Sequence, residues 1–101
     1  MFLVAVTSCP VGIAHTYMAA ANIEKYAKEL GWEVKVETQG AKGVENEITK
    51  EDLKRAGAAI IASDVRISGS NRFDNLPTLE VSISEAVKTP KDILQELKEA
   101  L

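Results

Sequence analysis

The sequence predicts an α/β fold: a single domain, residues 1–101, forming a three-layer sandwich with a four-stranded parallel sheet and helices on both faces. Residues 2–6 and 58–62 are apolar at every position, which is typical of parallel strands covered on both sides. Segments with helical periodicity alternate with the strand patterns. With 101 residues and a hydrophobic content of 46%, the chain has enough apolar material for one core.

The first half of the chain predicts two strands joined by a long helix. After the strand at 2–6, the helix has apolar residues at helical spacing: Ala19, Ile23, Ala27 and Leu30. Gly31 is expected to end it. Residues 33–37 alternate charged and apolar side chains, which predicts an edge strand with one face in water. Residues 38–47 are polar and contain glycines, which predicts a loop.

The second half predicts three helices and two further strands. Patterns typical of capping boxes begin short helices at Thr49 and Ser82. The strand at 58–62 follows the helix that begins at Thr49. Residues 77–81 alternate around the apolar Leu79 and Val81, as expected of the other edge strand. Pro90 opens the last helix, which has an apolar stripe: Ile93, Leu94, Leu97 and Leu101.

Right-handed crossovers order these four strands 2-1-3-4, numbered along the chain. In such sheets, ligands bind beyond the carboxyl ends of the strands, where the strand order reverses. Three segments leave the sheet at that edge: residues 9–16, 38–47 and 63–75. The last is a long polar connection, and loops of that length are usually functional or mobile. The candidate site is therefore expected at this edge.

Composition excludes several function classes. The chain has 12 Lys and Arg against 15 Asp and Glu, a net charge of −3, and no basic block, so neither nucleic acid nor an anionic membrane is an expected partner. Its apolar runs are too short to span a bilayer and no leader pattern precedes the first strand, which predicts a cytoplasmic chain. One cysteine and one histidine cannot complete a structural zinc site, and we expect neither metal nor cofactor.

Cys9 is the lead candidate residue because it lies where a buried strand passes through a glycine-containing turn into a helix. The unpaired N–H groups of a helix start form a nest for an anion, and the positive helix end favours a nucleophilic thiolate. These features suit capture of a phosphoryl group by sulfur. The candidate phosphate-binding residues follow directly: Pro10, Val11, Gly12, Ile13, Ala14, His15 and Thr16. The alternative is a buried structural cysteine, since free cysteine is often buried.

Other polar residues of this edge allow more than one interpretation. His15 would contact the phosphate, help to deprotonate Cys9 or pack over the helix start. Thr16 would bind the anion or cap the helix. Gln39 and Gly40 would support the loop or meet a partner. Charged residues of the long connection would act on the phosphate or simply be solvated: Asp64, Arg66, Arg72 and Asp74.

A small cysteine-dependent phosphatase is the rival interpretation. Such enzymes place an arginine six positions after the nucleophile, where its guanidinium forks onto the phosphate. Here that position is His15, which cannot supply the fork, so storage of a phosphoryl group is more expected than its hydrolysis. A dinucleotide site is less favoured still, because Gly12 stands without the spaced glycine set.

The chain also resembles a known family over essentially its whole length. Residues 9–16 (CPVGIAHT), continuing into Met18, Ala19 and Ala20, are similar to the active-site loop of fructose-specific enzyme IIB domains of the bacterial phosphoenolpyruvate-dependent sugar phosphotransferase system. Two further signatures are matched later in the chain: residues 37–40 (ETQG) with Gly43, Asn46, Ile48 and Thr49, and Asp64 with Arg72 and Phe73.

The resemblance implies a phosphotransferase in which Cys9 accepts a phosphoryl group from a phosphohistidine of a IIA domain. Cys9 would then pass it to fructose held by a membrane IIC transporter, giving fructose 1-phosphate. Many members have threonine at the position of Val11, so a hydroxyl contact to the phosphate is missing here. We expect Tyr17, with Ile13 and the Gln39 loop, at the partner face. A non-catalytic interaction domain remains a third possibility beside the phosphatase.

Overall fold

The computed structural model describes residues 1–9, 13–40 and 43–101, with the backbone alone for Ile13. Its strands are β1 Phe2–Ser8, β2 Glu33–Gly40, β3 Gly43–Glu45, β4 Ala58–Ser63 and β5 Thr78–Val81. Its helices are α1 Ile13–Glu29, α2 Lys50–Arg55, α3 Ile83–Lys88 and α4 Pro90–Ala100, with a 3-10 helix at Ser70–Phe73 between β4 and β5. Strands and helices alternate along most of the chain, as the sequence patterns predict.

The strands form one sheet in the order β3-β2-β1-β4-β5. β1 pairs in parallel with both β2 and β4, and β4 pairs in parallel with β5, which confirms the predicted order of those four strands. The prediction of a four-stranded, wholly parallel sheet is corrected in one respect, because β3 adds an antiparallel fifth strand beside β2. The sheet is therefore mixed, and the α/β class is confirmed.

The extra strand arises where a loop was expected. β2 continues to Gly40, and its last three residues pair with β3 in a hairpin. β2 is consequently covered at its carboxyl end instead of being a free edge throughout. Three exposed residues are too few for an alternating pattern to reveal a strand in the sequence. Asn46 follows in a left-handed conformation, φ 55°, which asparagine tolerates, and its Nδ2 donates to the Val36 carbonyl at 3.0 Å.

Helices cover both faces of the sheet, as predicted. α1, α3 and α4 pack together on one face, over buried residues that include Leu3, Ala5, Ile23, Ile60 and Leu94. α2 and the 3-10 helix lie on the other face, over a smaller cluster that includes Val4, Val6, Ile61, Ile67 and Phe73. Successive residues from Leu3 to Val6 thus point into different clusters and are all buried, which explains the continuously apolar run.

The predicted helix boundaries rest on specific backbone contacts. At the end of α1, Gly31 has φ 80°, and the Trp32 N–H donates to the Ala27 carbonyl at 3.1 Å, the bond that closes a Schellman motif. Both predicted capping boxes form, at Thr49 and at Ser82. Of the stripe on α4, three residues are buried, and Leu101 lies exposed beyond the helix. Within the described ranges, no helix has the length and apolar character needed to cross a bilayer.

Candidate functional site

The carboxyl ends of the three central strands are level with one another. Ser8, the last residue of β1, pairs with Gln39 of β2 on one side and with Ser63 of β4 on the other. The segments that follow these strands therefore emerge at one edge of the sheet, as the strand order predicts. Cys9 is the first residue beyond β1 and lies at the centre of that edge.

The structure places Cys9 at the boundary between core and surface. Its thiol is free, and the residue is 8% exposed, in the same buried cluster as Ile83 and Ala86 of α3. Three of the predicted phosphate-binding residues lie outside the described residues: Pro10, Val11 and Gly12. The side chain of Ile13 lies outside them as well. The part of the proposed anion nest that the structure describes begins at the backbone of Ile13.

The residues after Ile13 form the first turn of α1, where the sequence suggested loop. Ala14 and His15 are exposed, whereas Thr16 is 3% exposed. The Thr7 hydroxyl donates to the Thr16 carbonyl oxygen at 3.0 Å, which ties the end of β1 to this turn. Because α1 begins at Ile13, Thr16 lies inside the helix and does not occupy its N-cap position.

A pocket of about 320 Å³ opens beside Cys9. Cys9 and His15 form one side of it, and the rest of its lining comes from Asp64 after β4 and from four residues of α3: Ile83, Ser84, Val87 and Lys88. Those four have the spacing i, i+1, i+4 and i+5, so they share one helix face. The sequence analysis identified Cys9 and His15 but missed the α3 wall, for which helical spacing within 83–88 was the available signal.

A larger depression of about 640 Å³ lies near the β5 edge. It is lined by the ends of β4 and β5, the connection between them and the start of α3, with residues such as Ile61, Arg66 and Glu80. It shares Asp64 with the smaller pocket but includes neither Cys9 nor His15. We therefore assign the candidate site to the smaller pocket, because Cys9 and His15 both line it.

The α3 wall is fixed at both of its ends. At its start, the Ile83 N–H donates to Asp64 Oδ1 at 3.2 Å. Near its end, Asn22 Nδ2 of α1 donates to the carbonyl oxygens of Ala86 at 3.3 Å and Val87 at 3.1 Å. Asp64, one of the charged residues without an assigned role in the sequence, thus both holds α3 and lines the pocket.

A buried ion pair holds the long connection against β2. Glu37 is 1% exposed and receives Nη1 and Nη2 of Arg72 at 2.9 Å each, Gln39 Nε2 at 2.7 Å and the Ile48 N–H at 2.9 Å. Burial opposes the charge of Glu37, but these donors outweigh it and lower the pKa of its carboxyl group. The expectation of a water-exposed face along 33–37 is therefore wrong at Glu37.

Gln39 extends this network to the backbone of the connection. Its Nε2 donates to the Ser68 carbonyl at 3.0 Å, and its Oε1 accepts the Ser68 N–H at 2.9 Å. Gln39 is 9% exposed, so its contacts are those of loop support. Gly40 is exposed at the end of β2, where it pairs with Gly43 of β3.

Tyr17 connects α1 to the added strand. The residue is 39% exposed, and its hydroxyl donates to Glu45 Oε1 at the end of β3. The hydrogen bond to Glu45, with smaller effects of burial and of the carboxylate charge, raises the pKa of the Tyr17 phenol. Tyr17 thus lies at the surface and joins the helix that begins near Cys9 to the hairpin.

Comparison with known proteins defines the class to which this fold and site belong. Residues 4–96 match the family described as "PTS system, Lactose/Cellobiose specific IIB subunit". The chain belongs to this family of IIB components of the sugar phosphotransferase system. Its members are phosphotransfer components that work with IIA and IIC components.

Within that family the chain is similar to proteins named as fructose-like or fructose-specific components. It is 48% identical over 96 residues to the "PTS system fructose-like EIIB component 2" of Escherichia coli (strain K12), covering 95% of this chain and 91% of that protein. A domain of the fructose-specific IIABC component of Borrelia burgdorferi has a crystal structure that matches with a TM-score of 0.91 and 43% identity, covering 97% of this chain and 93% of that one.

A relative with a different named substrate is also similar. The "PTS system 2-O-alpha-mannosyl-D-glycerate-specific EIIABC component" of Escherichia coli (strain K12) is 45% identical over 94 residues. That match covers 93% of this chain and 14% of the longer protein.

Proposed function

We propose that the chain is a phosphocysteine carrier in which Cys9 accepts a phosphoryl group from a IIA phosphohistidine and delivers it to fructose held by a membrane IIC transporter. The observation that supports it most is the position of Cys9 at the carboxyl end of the central strand, where it lines a pocket with His15. α1 follows with 17 residues and no acidic side chain in its first turn, so its positive end is not neutralised there.

Two displacements at phosphorus make up the proposed reaction. First, the Cys9 thiolate attacks the phosphorus of the donor; the S–P bond forms, the P–N bond breaks, and its electron pair returns to the donor imidazole. Second, the O1 hydroxyl of fructose attacks phosphorus, the S–P bond breaks, and its electron pair returns to Cys9 while the hydroxyl proton leaves. The products are fructose 1-phosphate and the regenerated thiolate.

The remaining residues of the proposed site act on the phosphate or on partners. Residues 10–16 form the phosphate loop, in which the backbone N–H groups after Pro10 hold the phosphate and His15 contacts it from the first turn of α1. Tyr17 meets the partner domains, while Gln39 and Gly40 support the edge on which they dock. The domain would act in the cytoplasm and approach the membrane by docking onto IIC.

The test is intact-protein mass spectrometry after incubation with phosphoenolpyruvate, the general phosphotransferase proteins and a fructose-type IIA domain. We expect one phosphoryl adduct on the wild type and none on Cys9→Ser. An unmodified wild type beside phosphorylated IIA, or an adduct that persists on Cys9→Ser, contradicts the proposal. Release of free phosphate from an aryl phosphate would instead support the phosphatase interpretation, which the comparisons do not favour.

The acceptor sugar needs a separate measurement, because one relative is named for a different sugar substrate. Phosphorylated wild-type protein is mixed with membranes containing the cognate IIC component and with fructose or mannosylglycerate. We expect the adduct to be lost with fructose and fructose 1-phosphate to form. Loss with mannosylglycerate alone would overturn the choice of fructose and leave the carrier role intact.

A further inference from the structure

The pocket beside Cys9 contains a cation whose role the proposed reaction does not yet include. Lys88 is the last residue of α3 and lines the pocket with Cys9 and His15. Among the residues that the structure describes, its ammonium group has no ion-pair partner. We propose that Lys88 is a further phosphate-binding residue, which offsets the charge of the phosphoryl group on Cys9. This inference rests on the proposed function of Cys9.

The shape of the pocket fits this role. Ile83 is buried and Val87 is half-buried, so they form an apolar base, while Ser84 and Lys88 are exposed at its mouth. A phosphoryl group on a side chain adds close to two negative charges at neutral pH. Apolar walls concentrate the attraction between such an anion and a nearby cation. Lysine binds phosphate as a point charge and needs no fixed fork geometry.

The opposing carboxylate in the pocket lies near the other end of α3. Asp64 accepts the N–H of Ile83, five residues before Lys88. At 1.5 Å per residue, those two positions are about 7.5 Å apart along the helix axis. Asn22 holds the carbonyls just before Lys88 and thereby fixes this end of α3 against α1. The backbone of Lys88 is therefore held beside the pocket, and its ammonium group forms no ion pair with Asp64.

The charge at Cys9 is measured without any phosphotransferase partner by alkylating its thiol. Iodoacetate and iodoacetamide react with the thiolate at the same carbon, but iodoacetate is an anion and iodoacetamide is neutral. The ratio of their rate constants therefore reports the electrostatic field at Cys9, while changes in thiolate fraction or in access cancel. We expect Lys88→Gln to lower this ratio about two- to fivefold at low ionic strength, and added salt to reduce the difference.

Two further variants separate local charge from other effects. Lys54→Gln removes the same charge from exposed α2, on the opposite face of the sheet, and should leave the ratio unchanged. Lys88→Arg keeps the charge and should retain the wild-type ratio. An unchanged ratio in Lys88→Gln overturns the inference, as does an equal decrease in Lys54→Gln or in Lys88→Arg.

The second readout is the fraction of Cys9 that is phosphorylated at a fixed ratio of phosphorylated to free IIA. We expect this fraction to be lower in Lys88→Gln, with an equilibrium constant about two- to fivefold below that of the wild type. An equilibrium constant equal to that of the wild type would overturn the inference. Absence of any adduct on the wild type would contradict the proposed function instead, and the alkylation ratio distinguishes the two failures.

Discussion

Glu37 is the residue whose charge most directly holds the candidate edge together. It lies on β2 and pairs with Arg72, 35 residues later in the chain, while Gln39 and Ile48 satisfy its remaining acceptor capacity. A buried carboxylate is tolerated only when it is paired and hydrogen-bonded in this way. The connection after β4 therefore has one fixed point against β2, next to the strand ends that surround Cys9.

The contribution of this ion pair is tested by Glu37→Gln. We expect it to lower the free energy of unfolding by about 3 kcal/mol, because it leaves the partly buried guanidinium of Arg72 without its counter-charge. The measurement is urea unfolding at neutral pH. Glu33→Gln is the matched control, since the Glu33–Arg55 pair is exposed and should contribute less than about 1 kcal/mol. Equal losses in the two variants would contradict a special role for Glu37.

Sequence reasoning could not identify this residue by its own pattern. Glu37 ends a segment in which charged and apolar residues alternate, and alternation ordinarily places the charged residues in water. Its burial depends on Arg72, which contacts it only when the connection between β4 and β5 is folded against β2. The resemblance grouped both residues among family signatures, but their pairing became visible only in three dimensions.

At the scale of elements, α2 owes its start and its attachment to one carboxylate. Asp52 accepts the Thr49 N–H at 2.9 Å, which completes the capping box, and accepts Lys35 Nζ of β2 at 2.7 Å. The Lys35 hydrogen bond and then the Thr49 N–H lower the pKa of Asp52 from 3.8 to about 2. α2 is thus both capped and fastened to the sheet through this side chain.

This pKa predicts a defined pH dependence of stability. A carboxyl group whose pKa is lower in the folded state than in the unfolded state stabilises the fold at any pH above its unfolded-state pKa. That contribution is lost as the pH falls through the folded-state pKa. The difference in free energy of unfolding between wild type and Asp52→Asn should therefore be largest at neutral pH and should shrink as the pH falls from about 4 to about 2. Urea unfolding at a series of pH values measures it.

Lys35→Met provides the control for that window. Without the ammonium group, the pKa of Asp52 should rise toward 3.8, so the pH-dependent part of the difference should become smaller and its window should narrow toward pH 4 in the Lys35→Met background. A difference between wild type and Asp52→Asn that is the same at pH 2 as at neutral pH would show that the carboxylate charge is not responsible.

The end of α1 allows a second prediction about the stability of the fold. Gly31 has φ 80°, and a Cβ added there meets no atom within 4 Å, so only backbone strain opposes Gly31→Ala. We expect a loss of about 1 kcal/mol and a decrease in Tm of about 5 °C in thermal unfolding. Gly40→Ala, which also has open space but no left-handed φ, should change stability by less than about 0.5 kcal/mol. The same loss in both variants would refute the conformational explanation.

Elements were predictable where local signals and burial agree. The apolar runs of β1 and β4 and the capping boxes at Thr49 and Ser82 identified strands and helix starts correctly. β3 escaped detection because a three-residue exposed strand has no period. Helical spacing indicated which face of a helix is buried, but it does not indicate which loop that helix approaches, so the contribution of α3 to the pocket stayed hidden.

For the whole molecule, the candidate site is assembled by the order of the strands. The parallel order brings the ends of β1, β2 and β4 to one edge, and this followed from the apolar runs that marked the central strands together with the crossover rule. The side chains that hold the edge together come from distant segments, and their contacts depend on packing that no local pattern specifies. Gln39 shows this best, since it joins β2 to Ser68 across the edge.

Gln39→Ala tests whether this connection governs the edge as a unit. Loss of the contacts with Ser68 and Glu37 should lower the free energy of unfolding by about 2 kcal/mol. Amide exchange of Ser68 should accelerate about tenfold, because its N–H loses its acceptor in the folded state. Alkylation of Cys9 by iodoacetamide should stay unchanged, since Gln39 does not line the pocket.

Ser63→Ala is the matched control, because it removes hydrogen bonds of the same segment without touching β2. Among the residues that the structure describes, Ser63 Oγ bonds only to Val65, donating to its carbonyl at 2.6 Å and accepting its N–H at 3.1 Å. Ser68 should therefore keep its protection in that variant. If Gln39→Ala leaves Ser68 protected, the connection is held by Arg72 and Glu37 alone; if it accelerates Cys9 alkylation as well, Gln39 orders the pocket in addition to its rim.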